Sequence, residues 1–76
     1  MKSLLEYLVK ALVDQPQDVE VREIVGEKTT VYELRMAKED MGKVIGKEGR
    51  TIKAIRIILS AAAAKENKKV ILELLE

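Results

Sequence analysis

Gly46 and Gly49 stand three residues apart between two stretches that otherwise read as helix, and a continuous helix does not run comfortably through both. On the N-terminal side, Asp40 can cap a short helix over Met41–Ile45, and Gly46 then ends it in the left-handed conformation of a C-terminal stop. On the C-terminal side, a long helix runs over about residues 50–66, favoured by the alanines at 61–64, and Asn67 can stop it. The chain therefore turns through Lys47-Glu48 directly at the start of the long helix. Val44 and Ile45 lead into the turn. Lys47, Arg50, Lys53 and, one helical turn further, Arg56 surround it with positive charge against a single acid, Glu48. Glycines keep side chains out of the way of a close approach, and the free amides at a helix start favour an anion. A phosphate backbone suits that combination.

The rest of the chain supplies a small α+β frame for this turn. Ser3-Leu4-Leu5-Glu6 has the form of a capping box, and Leu4, Leu5, Leu8, Val9 and Leu12 follow at helical spacing, which predicts a first helix over residues 3–14, stopped before Pro16. Residues 19–25 read as a strand whose alternation slips at Glu23-Ile24, the sign of a bulge. Gly26-Glu27-Lys28 is a polar turn. Residues 29–37 alternate, with Tyr32, Leu34 and Met36 on one face and Glu33 and Arg35 on the other. Val70, Leu72 and Leu74 mark a last strand. The order is helix, strand, strand, short helix, long helix, strand. The helical connection between the second and third strands predicts a parallel crossover, and hence a mixed three-stranded sheet with all three helices on one face. Seventy-six residues hold one domain, residues 1–76.

Composition narrows the chemistry. The chain has no Cys and no His, so it offers no disulfide, thiolate or imidazole, and no metal site or cofactor is expected. No motif frames a Ser–Lys pair, and paired carboxylates among 13 acids belong on solvated faces, so an enzyme is not expected. Charged residues make up 36% of the chain but the net charge is only +1, so nucleic-acid binding has to rest on a local patch. No apolar run approaches the ~20 residues of a membrane span. The lack of Cys fits the cytoplasm, and the excess of Lys and Glu over Asn and Gln leans towards a heat-adapted source.

A bare Gly-x-x-Gly is weak, since at ~7% glycine roughly one chain of this length in three carries one by chance. The longer run Val44-Ile45-Gly46-Lys47-Glu48-Gly49-Arg50-Thr51-Ile52 resembles the Val-Ile-Gly-x-x-Gly-x-x-Ile signature of a KH domain. The whole chain resembles the bacterial type II form of that fold, α-β-β-α-α-β, and is similar to the KhpA family of small single-domain KH proteins. The resemblance implies a non-catalytic protein that binds about four nucleotides of single-stranded RNA in a narrow groove, with the glycine loop clamping the backbone. It implies Ile45 and Ile52 in the groove floor, Gly46, Lys47, Glu48, Gly49, Arg50 and Lys53 around the clamp, and base edges read on the second or third strand. It also implies an RNA chaperone or post-transcriptional regulator, linked in some bacteria to cell elongation and division. Partners would be a second copy and a KhpB (Jag/EloR)-like RNA-binding protein. The alternative is a protein-interaction scaffold with weak or no RNA binding of its own, which Glu48 and the near-neutral charge favour.

The long helix is apolar nearly all round. At ~100° per residue, Ile52, Ile55, Leu59, Ala62 and Ala63 form a stripe for the sheet, while Ala54, Ile57, Ile58, Ala61 and Ala64 fall mostly on the other side. That second stripe packs on the first helix or serves as a homodimer interface, and the dimer is the preferred reading.

Overall fold

The computed structural model describes all 76 residues. Helix α1 spans Lys2–Leu12, strand β1 Glu20–Val25, strand β2 Thr29–Arg35, helix α2 Met41–Ile45, helix α3 Arg50–Ala64 and strand β3 Lys69–Leu74. Short 3-10 turns at Pro16–Asp18, Lys38–Asp40 and Lys47–Gly49 join them. The sheet order is β1-β2-β3, with β2 antiparallel to β1 and parallel to β3. This is the α+β, type II arrangement expected from the sequence.

One sheet face makes the core. Val21, Tyr32, Leu34 and Leu72 are buried on it against Leu5 and Val9 of α1, Val44 of α2, and Ile52, Ile55 and Leu59 of α3. The helical spacing of those residues and the period-2 alternation of β2 explain why these elements form and which way they face. The opposite sheet face is open to solvent and carries Ile24, Val31 and Ile71 side by side in register.

Several local expectations are corrected. Ser3 is not a cap: α1 begins one residue earlier, at Lys2, with Met1 in the cap position and no side-chain cap bond. The helix ends at Leu12, and Val13, already extended, is buried instead of continuing the helix. Strand β1 has no bulge. Its pairing runs unbroken from Glu20↔Arg35 to Val25↔Thr30. The pattern slips at Glu23 because that exposed residue of the edge strand stands opposite Tyr32, whose hydroxyl its carboxylate accepts at 2.6 Å. Burial, then the Glu23 hydrogen bond, then the charges of Glu23 and Glu66 push the Tyr32 phenol well above the ordinary range, so it stays protonated as the donor. Strand β2 stops at Arg35, two residues short of the expected end.

Asn67 does stop the long helix. It is left-handed at φ 57°, its N–H donates to Ala64 O at 3.1 Å, and the N–H of Lys68 reaches Ala63 O at 3.0 Å. Those two bonds are the Schellman pattern, which satisfies carbonyls that the helix end would otherwise leave open. The helix proper closes at Ala64, before the expected residue 66.

Candidate nucleic-acid interface

The backbone between α2 and α3 is unusual at three residues out of four. Gly46 has φ 78° and ψ 171°, Glu48 φ 56° and ψ 25°, and Gly49 φ 73° and ψ 16°. The Gly46 value is not the left-handed helical stop expected from the sequence. It lies in the extended, positive-φ region that is essentially closed to residues with a Cβ. There is a packing reason as well: a Cβ on Gly46 would stand 2.6 Å from Thr51 Cβ and 2.8 Å from Thr51 N. Thr51, which sequence reasoning did not single out, thus holds the first turn of α3 against the loop. A Cβ on Gly49 would meet nothing within 4 Å, so only its φ asks for glycine.

Inside this frame the site residues divide. Lys47, Glu48, Arg50 and Lys53 are exposed, and Gly46 and Gly49 are half-exposed. No side chain caps the N-terminus of α3; within the loop the N–H of Gly49 donates to Gly46 O at 3.1 Å and that of Arg50 to Lys47 O. Lys47 and Lys53 pair with no acid, whereas Arg50 lies 3.6 Å from the Glu48 carboxylate. The acid of the loop therefore draws on one of its own cations. Ile45 is half-buried beside the loop, but Ile52 is 5% exposed and belongs to the core, where it supports the loop from below. Arg56 turns elsewhere: its guanidinium donates to Leu72 O at 3.2 Å and covers part of the β3 edge.

Asp40 does not cap its own helix. It occupies the cap position of α2 without a cap bond, and its buried carboxylate accepts the N–H of Asp14 at 3.2 Å and of Gln15 at 3.0 Å. The ammonium of Lys43 bridges Asp40, at 3.4 Å, and Asp14. Burial alone would push Asp40 up, but the two N–H groups and Lys43 together hold it below the usual carboxylate range. The hydrogen bond to Asp14 leads the effects that push Lys43 up. Because the folded state depresses Asp40, its contribution to stability is complete above the unfolded value of about 3.9 and is lost as pH falls through the lower folded value. Melting temperature measured from pH 6 down to pH 2 should therefore fall more steeply for the wild type than for Asp40→Asn. Parallel curves would show that this carboxylate is not linked to folding.

The exposed stripe on α3 is real. Ile57 is 68% and Ile58 43% exposed, and Ala54, Ala61 and Ala64 are exposed with them. Helix α1 does not cover them in the single chain. No helix of the chain is long and apolar enough to cross a membrane.

The chain is similar to known proteins over nearly its whole length. The family model "KhpA/KhpB, KH domain" matches residues 2–74. The RNA-binding protein KhpA of Clostridium perfringens is 56% identical over 75 residues, covering 99% of this chain and all of the relative. That of Chlamydia trachomatis is 55% identical over 76 residues, covering 100% of this chain and 97% of the relative. That of Borreliella burgdorferi is 49% identical over 73 residues, covering 96% and 89%. With the α-β-β-α-α-β order and the glycine loop between α2 and α3, these matches identify the chain as a member of the KhpA/KhpB KH-domain family.

Proposed function

We propose that the chain binds single-stranded RNA without catalysis, with the Gly46–Gly49 loop clamping the phosphate backbone. The observation that carries this is the loop itself. Two glycines in positive-φ conformations bare the backbone beside the uncapped start of α3, with Lys47 and Lys53 unpaired at its rim. Gly46 and Gly49 let the phosphate backbone approach closely, and Lys47, Arg50 and Lys53 supply charge. Ile45 presents the apolar floor over the buried Ile52. The names of the relatives, RNA-binding proteins, support the same reading.

The exposed α3 stripe supports a homodimer, since two such faces with alanines at Ala54, Ala61 and Ala64 let helices approach closely. The family resemblance extends this to a KhpB (Jag/EloR)-like partner and to work in the cytoplasm as an RNA chaperone or post-transcriptional regulator affecting cell shape.

Replacing Lys47 and Glu48 together by Asp tests the clamp. The side chains lie outside the core, so the melting temperature should stay within a few degrees while RNA affinity falls at least about tenfold, the loss of one charge-assisted contact. With three phosphate contacts the wild-type slope of log affinity against log salt should be about −2. Unchanged affinity in a folded variant would refute the clamp. The second reading, a protein-interaction scaffold, draws on the Glu48–Arg50 pair, which offsets part of the loop charge. Crosslinking in cells separates the two: RNA recovered at the loop supports the clamp, and protein contacts alone support the scaffold.

A further inference from the structure

Helix α2 has five residues, too few to hold itself in place, yet it delivers Gly46 to the clamp. What fixes it is visible at its two ends. Val44 is fully buried in the core at one end. At the other, the 1%-exposed Asp40 carboxylate takes the backbone N–H groups of Asp14 and Gln15, just beyond α1 and 26 and 25 positions away. Lys43 closes the arrangement by bridging Asp40 and Asp14. These five groups, the Asp40 and Asp14 carboxylates, the Asp14 and Gln15 N–H groups and the Lys43 ammonium, join the end of α1 to the start of α2, and none lies in the glycine loop.

We propose that Asp40 is a positioning residue for the RNA clamp: its carboxylate pins the start of α2 to the end of α1 and thereby sets the loop's angle against α3. Lys43, although three residues before the glycine loop, is a strut of this pin and not a phosphate ligand. The inference rests on the clamp reading of the loop. Charge alone makes the opposite forecast, which is what renders the pin testable. Asp40 is an acid near a phosphate site, so removing its charge should strengthen RNA binding if electrostatics decide. A pin makes binding weaker. Asparagine keeps the shape but offers one acceptor oxygen and turns an NH2 group towards the second N–H, so two donors face each other.

The test measures affinity of Asp40→Asn for a short single-stranded oligoribonucleotide well below the melting temperature, beside Asp18→Ala and the loop double variant. Asp18 is exposed and its carboxylate takes no part in the pin, so its loss removes a charge of the same sign while leaving the buried carboxylate and its partners in place. The pin predicts about a tenfold loss for Asp40→Asn, equivalent to one charge-assisted contact at the loop, with an unchanged salt slope, and less than about a twofold change for Asp18→Ala. Equal or tighter binding by Asp40→Asn would overturn it. If the loop double variant also binds as wild type, the clamp reading itself has failed. If only the double variant loses RNA, the pin alone has failed.

Should Asp40→Asn not fold, Lys43→Met decides by the amide NMR signals of Gly46 and Gly49 in the free protein. Shifts at both support the pin, and signals identical to wild type overturn it.

Discussion

Gly46→Ala should be among the most damaging single substitutions outside the core, and Gly49→Ala should be mild by comparison, although the two glycines look alike in the sequence. Both have positive φ. At Gly46 two costs add. Its φ 78°, ψ 171° backbone is closed to a residue with a Cβ, worth roughly 1–3 kcal/mol. A Cβ would also sit 2.6 and 2.8 Å from Thr51 Cβ and N, and the backbone atom has no room to retreat without moving the first turn of α3. At Gly49 only the left-handed backbone charges a penalty, about 1–2 kcal/mol, with open space around the new methyl. A chain of this size is stable by roughly 4–11 kcal/mol, and each kcal/mol moves the melting temperature of such a domain by about 4–8 °C. Thermal melts should place Gly46→Ala at least about 10 °C below wild type and Gly49→Ala clearly between them. A reversed order would mean that the loop is built differently.

The second large effect is on assembly. If the α3 stripe is a dimer interface, the wild type should be dimeric and Ile57→Asp a folded monomer. Ile57 is 68% exposed in the single chain, so replacing it changes the monomer's stability by no more than about 0.5 kcal/mol. In a dimer packed through this stripe, the same change forces carboxylates into an apolar contact. An unpaired buried charge costs about 3–5 kcal/mol, enough to weaken association by more than a hundredfold. Light scattering at high micromolar concentration reads the result directly. Ala61→Asp, on the same stripe, should behave alike. A wild type that stays monomeric at that concentration defeats the dimer.

Much of this was legible in the sequence because it depends on local patterning. The alternation of Tyr32 and Leu34, the helical spacing of Ile52, Ile55 and Leu59, and Asn67 before the last strand each act within a few residues, and each appears where the sequence put it. The failures share a different cause. Asp40 reads as a helix cap because Asp is a good one, but its carboxylate is claimed by amides 25 and 26 residues away. Glu23 reads as the sign of a bulge because nothing nearby reveals that a buried tyrosine on the next strand needs an acceptor. Arg56 reads as one more cation near the loop, yet the β3 edge takes it. Long-range hydrogen bonds decided all three. At the site, the glycine spacing showed where the loop lies, while the packing of Thr51 against Gly46 and the pairing of Glu48 with Arg50 emerge only in three dimensions.

RNA should meet this chain at the loop between α2 and α3. Titrating the isotopically labelled protein with a short single-stranded oligoribonucleotide and following its backbone amide signals tests it residue by residue. The largest shifts should fall at Ile45, Gly46, Lys47, Glu48, Gly49, Arg50 and Lys53, with none of comparable size for a duplex RNA. Shifts centred on Ile24, Val31 and Ile71 of the open sheet face, or an unmoved loop at saturation, would contradict it.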